Sequence, residues 1–304
     1  MKKDFLTLKD YSKEEIEYLL DLSGKIKKDK NSYSKVLEGK NIAMLFDKHS
    51  TRTRLSFEVG INQLGGNSIY LDSKNLQISR GETYQDTAKI FSRYLDGVII
   101  RTYRQEIVDI FAKYGTIPVI NGLTDIYHPC QILADMLTLK ELGLLNKDLK
   151  FIYIGDSNNV TNSLIIGFSK LGIDITIGCP EKYSPPEEII EYARNQKEGS
   201  KLNLVHDPVK AVSDADVVYT DVWLSMGDEI NKQKLMDLKS YQVNYKLLKY
   251  AKEEVKVMHC LPAHRGQEIT SEVLDGKNSI VLQQAENRLH AQKALLVYLY
   301  ANKI

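Results

Sequence analysis

Apolar residues recur along the chain at two different spacings. Residues 13–28 place Ile16, Leu19 and Leu22 on one side of a helix, and residues 284–301 also have a helical pattern without glycine or proline. Short apolar runs that predict buried strands occur at 41–46, 97–101, 117–120, 151–154, 173–177, 217–220, 255–258 and 279–282. Longer periodic segments separate most of these runs. Strands that alternate with helices predict an α/β fold built from parallel sheets with crossover helices.

The length of the chain predicts two domains. A chain of 304 residues is too long for one compact core of ordinary size. A predicted helix ends at Gly143, and a short polar link, Lys147–Lys150, precedes the next strand. We expect the C-terminal helix to return to the first domain, because no later strand follows it. The predicted domains are residues 1–146 together with the C-terminal helix 284–304, and residues 147–283.

Charge and cysteine content narrow the class of protein. Lys and Arg number 41 against 40 Asp and Glu, so the near-neutral balance gives no support for nucleic-acid or membrane partners. No apolar run approaches the roughly 20 residues that a bilayer requires, and the first ten residues lack the apolar stretch of a secretory signal. Three scattered cysteines favour a reducing compartment over a disulfide framework. We therefore expect a cytoplasmic protein.

The run Ser50–Arg54, Ser-Thr-Arg-Thr-Arg, follows an apolar strand and begins a helical pattern. Ser50 suits the N-cap, and free N–H groups with the positive end of the helix dipole favour an anion there. Arg52 adds a guanidinium that can bind a phosphate through two hydrogen bonds. The alternative is an ordinary capped helix with exposed arginines. A nucleotide-binding loop is unsupported, because the pattern GxxxxGK(S/T) is absent.

Further polar residues of the first domain lie at the end of a predicted strand and at the start of a predicted helix. Arg101 ends the strand 97–101, where open α/β sheets bind ligands. His128 and Gln131 flank Pro129, which suits the first turn of a helix. A neutral imidazole and an amide are suited to a carbonyl oxygen and an NH2 group. Taken singly, Arg101 is as well explained as a solvated strand end, and a lone histidine before a helix is more often structural.

The second domain carries polar groups after several strands. The turn Gly-Asp-Ser-Asn-Asn after strand 151–154 lacks GxGxxG, so NAD binding is disfavoured, whereas its amides suit a small polar ligand or simple helix capping. Asp221 follows strand 217–220 and offers a counter-ion for an amine. Cys260 follows strand 255–258 and is a candidate nucleophile, metal ligand or polar contact.

Two other chemistries remain open at Cys260. His259, Cys260 and His264 are close enough in sequence for a zinc site, although the spacing of a structural site and a second ligand pair are missing. A Cys–His hydrolase would need a histidine base, His128 or His264, and no pattern singles out such a pair. We predict no metal and no cofactor.

Six motifs, in order along the whole chain, resemble the aspartate/ornithine carbamoyltransferase superfamily. They are FDKHSTRTRLSFE, SRGETYQDTAKIFSRYLDG, HPCQ, DVWLSMG, HCLPAHRG and AENRLHAQKA. The resemblance implies two α/β domains with the site between them, assembled as a homotrimer. The SMG and HCLP motifs are typical of the ornithine carbamoyltransferases, while an aspartate enzyme would have an HPLPR-like sequence. The implied reaction transfers the carbamoyl group of carbamoyl phosphate to the δ-amine of L-ornithine, giving citrulline in arginine metabolism.

The resemblance also assigns roles to individual residues. The implied ligands of carbamoyl phosphate are Ser50, Thr51, Arg52, Thr53, Arg101, His128, Gln131, Cys260, Leu261 and Arg288, with Gln77 reaching a neighbouring subunit's site. The implied ligands of ornithine are Asn159, Asp221, Ser225 and Met226. Arg101, His128, Asp221 and Cys260 would act in the chemical step. A carbamoyltransferase for putrescine or another amine, and a non-catalytic anion-binding relative, are the alternatives.

Overall fold

The chain divides into two compact units in a computed structural model that describes residues 2–29, 31–48, 50–224 and 231–301. Unit 1 comprises residues 1–141 and 286–304, and unit 2 comprises residues 142–285. The limits predicted from the sequence, 146 and 284, lie a few residues away from these. None of the helices in the described ranges combines the length and apolar character that a bilayer crossing requires.

The sheet of unit 1 is parallel throughout its described strands. They are β1 (Asn41–Phe46), β2 (Asn67–Asp72), β3 (Gly97–Arg101) and β4 (Val119–Leu123), in the spatial order β2-β1-β3-β4. The central strands β1 and β3 are almost wholly buried, as expected for strands covered on both faces. Ala43, Val98 and Ile100 pack with Phe111 in one core cluster.

Helices accompany the sheet of unit 1. They are α1 (Lys13–Lys28), α2 (Thr51–Gln63), α3 (Tyr84–Tyr94), α4 (Gln105–Tyr114) and α5 (Pro129–Glu141). Among them, α2, α3 and α4 are the crossover connections between consecutive strands. Helix α5 is buried on every side from Pro129 to Leu139, so it is a central element of the unit rather than a surface helix.

Unit 2 repeats the arrangement with a second parallel sheet. Its strands are β5 (Phe151–Ile154), β6 (Ile175–Gly178), β7 (Leu202–Val205), β8 (Val217–Thr220) and β9 (Lys256–His259), in the order β7-β6-β5-β8-β9. Its helices are α6 (Asn159–Leu171), α7 (Glu187–Arg194), α8 (Pro208–Val212), α9 (Lys232–Leu238), α10 (Tyr245–Leu248) and α11 (Ser271–Leu274). Strands β5, β8 and β9 are neighbours and parallel, so their carboxyl ends lie along one edge of the sheet.

The last helix, α12 (Val281–Ala301), belongs to unit 1 from residue 286 onwards. Its Asn287 amide donates to Thr138 Oγ1 at 2.9 Å, and the Tyr300 hydroxyl donates to the Asp96 carbonyl at 2.8 Å. A Cβ at Gly97 would lie 1.9 Å from the Tyr300 oxygen, so glycine permits this close approach. The predicted α/β class with parallel sheets and a returning C-terminal helix is confirmed.

One predicted strand is wrong, and two strands were missed. Residues 279–282 form no strand: Ser279 makes an isolated bridge with Val257, and helix α12 begins at Val281. Strands β2 and β7 lack an apolar run because each is an edge strand with a partly exposed face.

Candidate active site

Helix α2 begins at the position where the sequence predicts an anion-binding helix start. Ser50 has extended backbone angles and caps α2, since its side chain accepts from the Thr53 N–H at 3.2 Å. Thr51 to Arg54 therefore form the first turn of the helix, where backbone N–H groups have no partner in the helix itself. This geometry concentrates positive potential at the strand end.

Two buried arginines that are far apart in sequence, Arg101 at the end of β3 and Arg288 of α12, converge on Thr53. Nη1 of Arg101 donates to Thr53 Oγ1 at 3.4 Å, and Nη2 of Arg288 donates to the same oxygen at 3.2 Å. Arg101 and Arg288 are 5% and 3% exposed. Two guanidinium groups in a buried setting repel each other, and a bound anion offsets that repulsion.

Gln131 continues the same network. It lies in the first turn of α5, and its Oε1 accepts from Nη1 of Arg288 at 2.7 Å. Its Nε2 donates to Asp135 Oδ1 at 2.8 Å, which fixes which end of the amide faces the arginine. The sequence prediction brought Thr53, Arg101, Gln131 and Arg288 into one site, and the structure places them together.

His128 precedes α5 and is buried beside the two arginines. Burial lowers the pKa of its imidazole well below the usual value, and the charges of Arg288 and Arg101 lower it further. The ring is therefore neutral at physiological pH. A neutral ring suits a hydrogen bond to a carbonyl oxygen, as the sequence predicts.

Some predicted donors of the first domain lie elsewhere. Arg54, the second arginine of the run, pairs with Glu58 at 3.2 Å and stacks on the Tyr70 ring at 3.9 Å from its centroid. The guanidinium of Arg54 is therefore engaged in these contacts rather than in the anion site. Gln77 is exposed in a separate short 3-10 helix, Gln77–Arg80. Its role in a neighbouring subunit stays a prediction.

The carboxyl ends of β5, β8 and β9 bring a second set of groups together in unit 2. The thiol of Cys260, after β9, donates to Asp221 Oδ1 at 2.9 Å. The Nδ2 of Asn158, after β5, donates to Asp221 Oδ2 at 2.8 Å. Asp221 is 6% exposed, so both oxygens of a nearly buried carboxylate are held in place.

Asn158 is the residue that the sequence prediction missed. Its side-chain oxygen caps α6 by accepting from the Val160 and Thr161 N–H groups at 2.9 and 3.2 Å, which leaves its NH2 to face Asp221. The predicted ligand, Asn159, is the first residue of the helix and is partly buried. The sequence suggested capping by this turn but gave no sign that the same amide reaches β8.

The turn that carries Asn158 is itself fixed on both sides. Lys234 of α9 pairs with Asp156 at 2.7 Å, and both side chains are largely buried. The Tyr153 hydroxyl donates to the Asp156 carbonyl at 2.7 Å. The predicted ligands Ser225 and Met226, which precede α9, lie outside the described residues.

The loop that carries Cys260 and Leu261 is held by a buried histidine. Nδ1 of His259 accepts from the Leu261 N–H at 2.9 Å, so Nε2 carries the proton and donates to Glu268 at 3.1 Å. His259 and Glu268 are fully buried. Leu261 has φ +58°, a left-handed conformation that non-glycine residues seldom adopt. The His259 contact stabilises this conformation.

The metal alternative loses support from the same histidine. The ligand atoms of Asp221, His259 and Cys260 lie within 4.8 Å of one another. However, both ring nitrogens of His259 are engaged, so coordination would break one of these buried hydrogen bonds. His264, which the sequence grouped with them, is exposed.

A Cys–His hydrolase is likewise disfavoured. Such a nucleophile needs an imidazole base in hydrogen-bond contact with the thiol. The thiol of Cys260 instead donates to a carboxylate. The arrangement in unit 2 therefore suits recognition of an amine or amino acid better than covalent catalysis.

Two family models match the chain and together cover most of it. The carbamoyl-phosphate-binding domain of aspartate/ornithine carbamoyltransferase matches residues 3–141, and the Asp/Orn-binding domain matches residues 147–299. The chain belongs to the aspartate/ornithine carbamoyltransferase family. The two models correspond closely to unit 1 without its C-terminal segment and to unit 2 with it.

Similar proteins carry the name of the ornithine branch. A protein named ornithine carbamoyltransferase from Oceanobacillus iheyensis is 52% identical over 99% of this chain and 95% of its own length. One of the same name from Bacillus subtilis is 52% identical over 97% of this chain and 92% of its own. The structure of ornithine carbamoyltransferase from Pyrococcus furiosus has a TM-score of 0.94 at 48% identity, with 99% and 97% of the two chains covered. That of the anabolic enzyme from Campylobacter jejuni has a TM-score of 0.93 at 40% identity, covering 99% and 100%.

Proposed function

We propose that this chain is an ornithine carbamoyltransferase, which transfers the carbamoyl group of carbamoyl phosphate to the δ-amine of L-ornithine and releases L-citrulline and phosphate. The observation that carries the proposal is the pair of buried guanidinium groups on Thr53, an anion site built by residues that are far apart in sequence. The names of the relatives at 52% identity over nearly the full chain support ornithine as the acceptor.

Carbamoyl phosphate binds to unit 1 in this proposal. Its phosphate is held by the start of α2, and its carbamoyl end by the neutral His128 and by Gln131. The assigned ligands are Ser50, Thr51, Arg52, Thr53, Arg101, His128, Gln131 and Arg288. Negative charge grows first on the carbonyl oxygen and then on the leaving phosphate, so Arg101 stabilises the transition state more than the bound substrate.

Ornithine binds to unit 2 in this proposal. Asp221 provides the negative charge that an ammonium group needs, and Asn158 and Cys260 fix its two oxygens. The other assigned ligands are Asn159, Ser225 and Met226. Cys260 and Leu261 line the reacting centre, and Cys260 contacts the reacting amine as a polar group.

The reaction is a direct attack. The δ-ammonium loses one proton to become a nucleophile, its nitrogen forms the new bond to the carbamoyl carbon, and the bond from that carbon to the phosphate oxygen breaks. The nitrogen loses a second proton as the urea group forms. No covalent enzyme intermediate and no cofactor are required. The remaining rate enhancement comes from holding both substrates in register.

The assembly and location of the enzyme are further parts of the proposal. We propose a homotrimer in which Gln77, exposed on its own chain, reaches a neighbouring subunit's site. The three cysteines, none of which forms a disulfide bond within the described residues, support a cytoplasmic enzyme of arginine metabolism.

Competition between acceptors tests the proposal. The purified protein is supplied with carbamoyl phosphate and an equimolar mixture of ornithine, putrescine, aspartate and acetylornithine, and the carbamoylated products are separated by mass spectrometry. Citrulline should dominate. Carbamoyl-putrescine as the main product would assign the chain to another amine, and no product from any acceptor would favour a non-catalytic anion-binding protein.

A further inference from the structure

Gln292 lies against Arg288 and is completely buried. With its amide nitrogen towards α2, that nitrogen donates to Ser56 Oγ at 2.6 Å. Its amide oxygen then accepts from Nε and Nη2 of Arg288 at 3.2 and 3.0 Å. One amide therefore connects the guanidinium group to the helix that begins with the phosphate-binding run.

Ser56 decides which way round this amide sits. The Ser56 hydroxyl donates its hydrogen to the Arg52 carbonyl at 2.7 Å, so its oxygen offers lone pairs to a donor. Gln292 must then present its nitrogen to Ser56. Its oxygen is left facing Arg288, whose guanidinium is a donor only. The opposite orientation would put two donors against each other.

The helical spacing places the Gln292 amide next to the Arg288 guanidinium. Residues 288 and 292 are four apart on α12, so their side chains are neighbours on the same face. Gln131 and Thr53 hold the Nη atoms of the same guanidinium. Gln292 adds contacts to Nε and the adjacent Nη2. All three nitrogens of the guanidinium therefore have an acceptor, and the orientation of its plane is fixed.

We propose that Gln292 is a positioning residue for Arg288 and thereby for the phosphate of the carbamoyl donor, an inference that rests on the proposed function for the identity of that donor. Gln292 itself does not touch the substrate. Without its oxygen, the buried Nε of Arg288 loses an acceptor, and the guanidinium turns away from the orientation that meets a phosphate. Loss of the Gln292 contact should therefore weaken phosphate binding and leave ornithine binding unchanged.

Inorganic phosphate is a suitable probe, because its binding does not depend on turnover. Calorimetric titration compares the wild-type protein with Gln292→Met, which keeps the length of the side chain and removes both contacts. The phosphate dissociation constant should rise about tenfold, equivalent to about 1.4 kcal/mol. The KM for carbamoyl phosphate should rise by a similar factor while the KM for ornithine stays within about twofold. A dissociation constant within twofold of the wild-type value would overturn the proposal.

Lys293→Met is the matched control. Lys293 is the next residue of α12, is equally buried, and donates to Gln63 at 3.0 Å, at the C-terminal end of α2 and away from the phosphate-binding run. Its variant should bind phosphate as the wild type does. An equal loss of affinity in both variants would mean that Gln292 acts only through general packing of the helix and would overturn the proposal.

Gln292→Glu is a second variant of the same shape, which is useful if the methionine variant fails to fold. A carboxylate in the same place would still accept from Arg288 but would neutralise its charge, so phosphate affinity should fall at least about tenfold. Unchanged affinity would contradict the contact between the two side chains. If the variants show the predicted phosphate affinities but the wild type forms no citrulline, the proposed reaction is wrong and this inference stands. A wild-type protein that binds no phosphate would overturn both.

Discussion

The thiol of Cys260 donates to one oxygen of Asp221 at 2.9 Å, although the two residues follow different strands. Because β8 and β9 are adjacent and parallel, the residues that follow them meet at the sheet edge. Asn158 holds the other oxygen at 2.8 Å. The carboxylate is thus oriented before any ligand binds, which lowers the ordering cost of recognising an amine.

Asn158→Ser tests this orientation. Serine remains a good N-cap for α6 but cannot reach Asp221, so capping is kept and the contact is lost. A hydrogen bond to a charged group is worth about 1.5–3 kcal/mol, so we expect the KM for ornithine to rise about tenfold or more. Steady-state kinetics should show no comparable change in the KM for carbamoyl phosphate.

Asn244→Ser provides the control for Asn158→Ser. Asn244 caps α10 in the same way, and its Nδ2 also donates to a side chain, Gln242, at 3.2 Å. This variant should leave both KM values unchanged. If both variants shift the KM for ornithine equally, the capping change and not the Asp221 contact is responsible.

Cys260→Ser separates a polar contact from a nucleophile. Serine keeps a hydrogen-bond donor towards Asp221, so kcat should fall by roughly tenfold, whereas loss of a true nucleophile costs several orders of magnitude. Intact-protein mass spectrometry during turnover should find no carbamoyl group on the enzyme. An adduct trapped on Cys260 would refute direct attack.

Thr53→Val tests the point where the two arginines converge. Valine has nearly the same shape but lacks the oxygen that accepts from Arg101 and Arg288. The KM for carbamoyl phosphate should rise by about ten- to a hundredfold, since hydrogen bonds to two charged groups are lost. Thr87→Val, at an equally buried threonine of α3, should leave it unchanged.

His128 predicts a pH dependence of stability. Its pKa is lowered in the folded protein, whereas an unfolded histidine titrates at about 6.5. Below that pH the imidazole of His128 is protonated in the unfolded chain but not in the folded chain, so the free energy of unfolding falls as the pH falls. Between pH 7.5 and 5.5 the wild type should lose about 1 kcal/mol more than His128→Gln.

Chemical denaturation at both pH values checks this difference. The comparison between the two proteins isolates His128, because His290, whose pKa is also lowered by burial, is present in both. An equal loss of stability in both proteins would mean that the folded state admits a charged ring at position 128.

Local patterns of apolar residues predict much of the fold. Strands β1, β3, β5 and β8 are buried on both faces and appear as continuous apolar runs. Strand β2, half exposed at the sheet edge, has no such run. The sequence around Ile280 has the β-branched residues of a strand, yet Val281 begins a helix, because tertiary packing overrides local propensity.

The candidate site likewise contains residues that the local sequence predicts and contacts that it does not. Ser50 and Arg101 could be predicted because Ser50 caps the start of a helix and Arg101 ends a strand, and a linear pattern reveals both positions. The contacts of Asn158 with Asp221 and of Gln292 with Arg288 could not. The first joins residues 63 positions apart through the sheet order, and the second depends on the hydroxyl of Ser56 in another helix.

Carbamoyl transfer to ornithine releases citrulline and phosphate in equal amounts, so the ratio of the two products is the decisive measurement. Purified protein is incubated with carbamoyl phosphate and L-ornithine, and citrulline and phosphate are measured in the same samples over time, with spontaneous decay of carbamoyl phosphate subtracted. We expect one citrulline for each phosphate released and no enzyme-dependent phosphate without ornithine. Enzyme-dependent phosphate release without citrulline would contradict carbamoyl transfer to ornithine.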